Sequence, residues 1–159
     1  MSQYTLNNLQ KSYAQLDQGT VEQIVDILLR SDRKYIAGFR GTACCAQYMA
    51  SKLLFLTPCG AHPPRGRHGG GKPVGHHGAG LPVPVQLSPV LRDRPALMEI
   101  ARESGAKVIL MTDRRTSPLA NKADVVVTAQ VDGLGFTNSY VAPLSLSEVI
   151  LLSVSGRRM

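Results

Sequence analysis

The sequence predicts an α/β protein in which a parallel sheet lies between layers of helices. Three short segments rich in Val, Ile and Leu, residues 34–39, 107–112 and 124–128, alternate with stretches of helical apolar spacing. Strands separated by helices pair in parallel through right-handed crossovers. Because the Val and Ile runs are continuous, the strands should be buried on both faces. We therefore expect one three-layer domain over residues 1–159, long enough to form its own core.

Apolar residues recur at helical spacing before and between these strands. The predicted helices cover residues 6–16, 21–30, 43–54, 95–104 and 138–153. Residues 20–23 have the pattern of a capping box, which places the start of the second helix at Thr20. Thr42 is the expected cap of the third helix. Pro95 suits the first turn of the fourth helix, and Gly105 suits its C-terminal stop.

The middle of the chain, residues 57–94, has a different composition from its two flanks. It contains all four His, eight of the 15 Gly and seven of the 10 Pro, and its one acid is Asp93. A segment of this kind buries too little apolar surface to offset the entropy of ordering its backbone. We therefore predict coil at about residues 57–94, and a sheet that is incomplete.

The formal net charge of +7 does not by itself predict nucleic-acid binding. Residues 57–94 carry +4 of this charge, which leaves only +3 for the flanks. A positive sum without a folded basic face is weak support for a DNA site. No apolar run reaches the roughly 18 residues of a membrane span, and residues 1–16 lack the pattern of a signal peptide. We expect a cytoplasmic protein with no membrane partner.

The cysteines and histidines predict neither a disulfide framework nor a metal site. Three Cys are too few for a framework. Cys44 and Cys45 are adjacent on a predicted helix, where small buried apolar side chains are the expected role, rather than a redox pair. Cys59 and the four His match no closed structural zinc spacing. We expect no metal and no cofactor.

The strongest local signal for a ligand is the turn at residues 37–42, which closes a strand and opens a helix. Such a turn presents free backbone N–H groups at the positive end of a helix dipole. Gly38 and Gly41 permit a tight turn and the close approach of an anion. Arg40 adds a forked cation, and Thr42 adds a hydroxyl. In the alternative interpretation, the glycines only make the turn and Thr42 only caps the helix.

A second candidate is Thr112 with Asp113, at the carboxyl end of the next clear strand. Open α/β sheets bind ligands at these ends. In the alternative interpretation, residues 113–117 form a solvated turn. The flanks contain no Ser/His/Asp set, no pair of carboxylates and no P-loop, so no catalytic residue is assigned.

Three stretches of the flanks carry a family resemblance. They are residues 38–43 (GFRGTA), 105–113 (GAKVILMTD), and 117–120 with 123–126 (SPLA and ADVV). They resemble the SIS (sugar isomerase) domain and, within that family, the effector domain of RpiR-like transcriptional regulators. The family usually has Ser where this chain has Thr42, and often Gly where it has Arg40. The resemblance covers roughly residues 5–56 and 95–155.

The resemblance implies a five-stranded parallel sheet that binds phosphosugars or related carbohydrate derivatives. In the regulators this domain senses a sugar phosphate and usually dimerises, so the expected partners are a sugar phosphate effector and a second copy of the chain. DNA would be contacted only through a helix-turn-helix domain, for which this chain has no room. The expected ligand-binding residues are Gly38, Arg40, Gly41, Thr42, Thr112 and Asp113.

Three functions are compatible with the flanks. The first is a sugar-phosphate sensor, the effector domain of an RpiR-like regulator without its DNA-binding half. The second is an aldose–ketose isomerase, which needs a general base such as Glu or His near the substrate carbon. The flanks have no His, and Glu99, Glu103 and Glu148 lie on predicted helices, so the sensor is favoured over the enzyme. The third is a degenerate fragment without a function.

The family resemblance is interrupted at residues 57–94, where it implies two strands and a Ser-rich loop that grips the phosphate. One hypothesis is an out-of-frame segment. Back-translation of residues 86–91 with the first base of codon 92, read one base along, permits Ser-Phe-Pro-Arg-Tyr-Ser, which would suit that loop. The alternative is a genuine Gly/Pro/His-rich insertion. Sequencing of the encoding DNA decides between them, since a single frame kept in close relatives contradicts the frame shift.

Overall fold

The computed structural model describes residues 2–38, 40–57, 84–87, 94–134 and 137–159. Helices and strands follow one another along this part of the chain. They are α1 (Ser2–Gln15), α2 (Gln18–Arg30), β1 (Tyr35–Gly38), α3 (Ala43–Leu56), β2 (Pro84–Leu87), α4 (Arg94–Glu103), β3 (Ile109–Thr112), β4 (Val125–Thr128) and α5 (Val141–Arg158). None of the helices in these ranges combines the length and apolarity that crossing a membrane requires.

The sheet has four parallel strands in the order β1-β2-β3-β4. In its register, Leu110 lies between Gln86 on one side and Val126 on the other. The three predicted strands are confirmed, each slightly shorter than the apolar run that predicted it. The prediction of an α/β fold with a parallel sheet is therefore confirmed.

Strand β2 corrects the prediction of coil at about residues 57–94. Pro84–Leu87 pairs with β1 on one side and β3 on the other. Neighbouring strands on both sides supply hydrogen-bond partners for its backbone, and these tertiary contacts outweigh the local composition. Pro84 stands at the first strand position, where a missing N–H group is tolerated. The rest of the segment, 58–83 and 88–93, lies outside the described residues, so the frame shift stays a hypothesis.

Helices cover both faces of the sheet, as alternating side chains in the strands predict. On one face, strand residues pack with α2, α3 and α5 around Leu28, Met49 and Leu146. The strand residues of this cluster are Ile36, Ile109, Met111, Val125 and Val127. On the other face, Val108 and Leu110 pack with Met98 and Ala101 of α4 and with Leu119. The helical layers on both faces confirm the predicted three-layer arrangement.

The N-terminal cap of α2 is Asp17, which corrects the prediction that the helix starts at Thr20. The backbone N–H of Thr20 donates to Asp17 Oδ1 over 2.8 Å, and its hydroxyl donates to Oδ2 over 2.6 Å. These two bonds hold the pKa of Asp17 below its usual range. Asp17 has the extended dihedral angles of a cap, whereas Thr20 already lies within the first turn.

The end of α4 agrees with the sequence. Gly105 has a positive φ of 70°, a conformation that favours glycine, and the N–H of Ala106 donates to Ala101 O over 2.8 Å. This pattern is a Schellman-type stop. The same turn leads directly into β3, so it positions the strand that carries Thr112.

Polar contacts attach α1 to the segment that follows β4. Asn8 Nδ2 donates to Asp132 O over 2.7 Å, and the N–H of Gln130 donates to Ser12 Oγ over 2.8 Å. Both Asn8 and Ser12 are buried, whereas Leu6 and Tyr13, two of the apolar residues at helical spacing in the predicted first helix, are exposed. Hydrogen bonds therefore fix the helix next to the carboxyl end of β4.

Asp124 connects the starts of β3 and β4. Burial alone would raise the pKa of its carboxyl. The hydrogen bond from Val108 N to Oδ2 (2.8 Å) and the ion pair of Lys107 Nζ with Oδ1 (3.0 Å) outweigh it and lower the pKa. The ionised form is thus stabilised by the fold. Its contribution to the free energy of unfolding is complete above pH 3.8, the ordinary pKa of an aspartate. That contribution is lost as the pH falls through the lower pKa that Asp124 has in the folded protein.

Replacing Asp124 with asparagine should lower the free energy of unfolding by about 1 kcal/mol at neutral pH, because the charged acceptor is lost. The difference from the unmodified protein should shrink in acid, below pH 3.8. Urea denaturation at several pH values measures both effects. The exposed Asp32→Asn is the matched control. An equal loss of unfolding free energy in both variants would contradict the stabilising role assigned to the Asp124 carboxylate.

Candidate functional site

The carboxyl ends of the four parallel strands lie at one edge of the sheet, and both predicted ligand segments are there. Gly38 is the last residue of β1, and Thr112 is the last residue of β3, followed by Asp113. Strand β2 lies between them, so two strand spacings of about 4.8 Å separate the ends by about 10 Å. The structure thus brings the two segments to the same edge, separated by one strand.

The loop after β1 turns tightly into α3. Arg40–Thr42 forms a 3₁₀ turn, and Gly38 lies directly against it. A Cβ atom at position 38 would be 2.4 Å from the carbonyl oxygen of Thr42 and 2.7 Å from Cβ of Ala46. Glycine is required there by close packing. Phe39 and the side chain of Arg40 lie outside the described residues, so the predicted role of Arg40 is untested.

Thr42 does not act as the predicted side-chain cap. It occupies the N-cap position of α3 and is buried, but its dihedral angles are helical (φ −81°, ψ −7°) and its side chain makes no capping hydrogen bond. A capping side chain needs the extended conformation. The preceding 3₁₀ turn has already brought Thr42 into helical geometry, and the capping prediction is therefore wrong.

Tyr140, at the start of α5, contacts this loop and was not among the predicted residues. A Cβ atom at position 41 would lie 2.4–2.5 Å from Cε2, Cζ and the hydroxyl oxygen of Tyr140. The hydroxyl end of the phenol ring therefore packs closely against Gly41. The contact joins two distant parts of the chain, so local sequence patterns carry no signal for it.

The two cysteines at the start of α3 have different environments. Cys45 is buried, and burial first, then the neighbouring Cys44, raises its thiol pKa to about 12. A thiol of this kind stays protonated and inert at neutral pH. Cys44 is exposed, and its thiol donates to Gly41 O over 3.0 Å. The predicted buried role is confirmed for Cys45 and wrong for Cys44, because adjacent helical residues point in different directions.

The end of β3 opens onto a cleft. Thr112 is buried, and its hydroxyl donates to Asp113 Oδ1 over 3.3 Å. Asp113 borders a cleft of about 460 Å³, which also includes side chains from α1, from the loop after β3 and from the end of β4. The lining residues are Gln15, Asp113, Arg114, Arg115, Thr128 and Gln130. Asp113 thus belongs to a concave surface.

The described residues offer no metal cluster, and the carboxylate that they place at this edge is that of Asp113. No group of three or more His, Cys, Asp or Glu in these ranges could hold a metal ion, while Cys59 and the four His lie outside them. Glu99 forms an ion pair with Lys122 over 3.1 Å, and Glu148 accepts from the hydroxyl of Tyr48 over 3.4 Å. Both are on helices, away from the strand ends.

Comparison with known proteins identifies the family. The family model described as "SIS domain" matches residues 27–153. The chain belongs to the SIS domain family. The resemblance seen in the sequence is thereby confirmed, and the four-stranded sheet is the described part of an SIS fold. Among proteins with curated descriptions, none matches the chain.

Solved structures of SIS domains share the fold at low sequence identity. The sugar isomerase domain of an RpiR transcription factor from Sphaerobacter thermophilus is 23% identical, with a TM-score of 0.78, over 96% of this chain and 86% of that one. The Vibrio vulnificus NanR protein complexed with ManNAc-6P is 16% identical, with a TM-score of 0.80, over 98% of this chain and 61% of that one.

A third similar structure comes from Methanococcus jannaschii, a hypothetical protein for which a 3-hexulose-6-phosphate isomerase function was inferred. It is 12% identical, with a TM-score of 0.70, over 95% of this chain and 86% of that one. The same fold thus occurs in a protein named as a transcription factor and in one for which an isomerase function was inferred. These similarities establish the fold and leave the choice of function to the site.

Proposed function

We propose that this chain binds a phosphosugar at the carboxyl edge of its sheet and serves as the effector domain of an RpiR-like transcriptional regulator. Its membership of the SIS family supports this role. So do the similar structures, one named as an RpiR transcription factor and one as NanR complexed with ManNAc-6P. The observation that carries the proposal is the glycine-rich turn from β1 into α3, at the same edge as Asp113.

The turn from β1 into α3 supplies the phosphate site in this proposal. The first N–H groups of α3 have no partner within the helix and lie at the positive end of its dipole, so they attract an anion. Gly38 and Gly41 let the backbone pack closely here, with the Tyr140 phenol beside Gly41 as a further donor. Arg40 would add a cation to the same group.

The sugar part of the ligand would extend along the edge towards β3. Asp113 lies about two strand spacings away and its carboxylate can accept hydrogen bonds from sugar hydroxyls. Thr112 orients that carboxylate through its own hydroxyl. In this proposal the turn after β1 binds the phosphate, and Asp113 binds the sugar of the same ligand.

An isomerase remains the second candidate, because the fold is shared with the protein from Methanococcus jannaschii. Aldose–ketose interconversion requires a base beside the substrate carbon. Glu99 and Glu148 are engaged elsewhere, which favours the sensor.

Contact with DNA would require a further domain. We also propose that two copies associate, and that Leu54 and Phe55, both exposed on α3, contribute apolar surface to the contact.

Titration calorimetry with a panel of hexose 6-phosphates and pentose 5-phosphates tests the proposal. At least one should bind, while the unphosphorylated parent sugar should not. Gly41→Ala should weaken binding about tenfold, because the new methyl group displaces the Tyr140 ring from the loop. Gly156→Ala, in open space on α5, is the control and should bind normally.

Assays for turnover on the same samples separate the two candidates. Interconversion of an aldose phosphate and its ketose would favour the isomerase. If no phosphorylated sugar binds to the unmodified chain, the proposed function is wrong.

A further inference from the structure

The cleft beside β4 is lined by hydrogen-bond donors that are not part of the proposed phosphate site after β1. Donors come from three parts of the fold: the last residue of α1, the loop after β3 and the end of β4. Gln15 and Gln130 contribute side-chain amides, and Arg114 and Arg115 contribute guanidinium groups. The backbone of Gln130 is held in place by its bond to Ser12. Such convergence of donors is typical of a site for an oxyanion.

The two guanidinium groups are largely available to a ligand. Arg114 pairs with Asp113 at 3.7 Å, but its side chain is 80% exposed, so the pair contributes little. Arg115 has no ion pair within 4.0 Å among the described residues. It does lie near Asp17, a residue whose carboxylate already accepts two hydrogen bonds from Thr20.

Thr128 provides the second, independent observation. It ends β4, directly opposite Thr112 in the register, and is 5% exposed in the wall of the cleft. Its Oγ1 is buried and has no hydrogen-bond partner in the described part of the chain. Buried polar atoms almost always have partners, so an unpartnered hydroxyl in the wall of a cleft is a candidate for a hydrogen bond to a bound ligand. Rotation about the Cα–Cβ bond moves the hydroxyl among three staggered positions, so the hydroxyl can turn towards the cleft.

From these contacts we infer that the cleft formed by Arg115, Gln130 and Thr128 is an oxyanion subsite, which binds a phosphoryl or carboxylate group of the ligand. It is distinct from the turn after β1, because three strand spacings, about 14 Å, separate the ends of β1 and β4. The inference deepens the proposed function and rests on it for the class of ligand, a sugar that carries an acidic group. A ligand that reaches both sites carries two such groups.

Two substitutions test the subsite. Arg115→Gln removes the charge, and Thr128→Val keeps the shape but removes the hydroxyl. Arg102→Gln, on the exposed side of α4, is the matched control for charge. Calorimetry and thermal unfolding would be measured with inorganic phosphate, hexose 6-phosphates, a hexose bisphosphate and gluconate. The phosphate and gluconate arms distinguish a phosphoryl group from a carboxylate.

We expect the Arg115→Gln variant to bind the anionic ligand with an affinity about tenfold lower than the unmodified protein, and the Arg102→Gln variant to bind it with unchanged affinity. Thr128→Val should raise the melting temperature of the unliganded protein, because an unsatisfied buried hydroxyl is replaced by an apolar group. The same variant should bind the anion more weakly. If Thr128 had only a structural role, Thr128→Val would raise the melting temperature and leave the affinity for the anion unchanged.

The outcomes separate the subsite from the proposed function. If sugar phosphates bind all variants equally, the subsite is refuted while the proposed function stands. If the unmodified protein binds no sugar phosphate, the proposed function fails. The measurements with inorganic phosphate then decide whether the subsite exists. A stabilisation by phosphate that Arg115→Gln abolishes supports the subsite, whereas the same response in both proteins refutes it.

Discussion

Replacing Gly38 with alanine should lower the free energy of unfolding by about 3 kcal/mol. The new Cβ would lie 2.4 Å from Thr42 O and 2.8 Å from Thr42 C. These are backbone atoms at the start of α3, so neither can move without shifting the helix relative to β1. The added methyl group therefore strains the junction on which the proposed phosphate site depends. Urea denaturation measures the loss.

The same substitution at Gly156 is the matched control. This glycine lies in α5, and a Cβ there meets nothing within 4 Å. Alanine has the higher helix propensity, so Gly156→Ala should stabilise the protein by about 0.5 kcal/mol. The two glycine substitutions should thus have opposite signs. A loss at Gly38 no larger than the change at Gly156 would show that the junction is not closely packed.

Replacing Leu146 with alanine should lower the free energy of unfolding by about 3 kcal/mol. Leu146 is 0% exposed and lies in the cluster that joins α5 to α2, α3 and the sheet. Removing its branched end leaves a cavity, because the surrounding side chains belong to several elements and cannot all close on it. Chemical denaturation should show a lower midpoint with a similar slope.

Leu6→Ala is the control for this prediction. Leu6 is 50% exposed on α1, and its change should stay within about 0.5 kcal/mol. Equal losses at Leu6 and Leu146 would mean that the core is not centred where α5 crosses the sheet.

Local patterns in the sequence were sufficient for most of the fold. Continuous Val and Ile runs located β1, β3 and β4, and the glycine at 105 located the end of α4. Strand β2 was missed because its four residues are surrounded by Pro and Gly, and its pairing depends on the strands at either side. The cap of α2 was misplaced by three residues because two side chains with capping ability, Asp17 and Thr20, compete.

The candidate site was predicted in part. The turn after β1 and the Thr112–Asp113 pair were recognised from strand ends and from family resemblance. Tyr140 and Thr128 were missed because each joins the edge from a distant part of the chain. Arg115 follows Asp113 in the same loop and was missed because a charged residue in a turn usually faces water. Their polar or aromatic character alone is no signal, since such residues are common on surfaces.

Periodicity, glycine placement and the family motifs were enough to determine that this chain is an α/β protein of the SIS type, and they placed the predicted ligand segments at strand ends. Those features depend on neighbours in the chain, which the sequence contains. Only the tertiary structure decided that β2 completes the middle of the sheet and that Tyr140 lies against Gly41. It also decided that the Thr128 hydroxyl, in a cleft wall shared with two arginines, has no hydrogen-bond partner among the described residues. These arise from contacts between distant residues, whose geometry is set when the elements pack together.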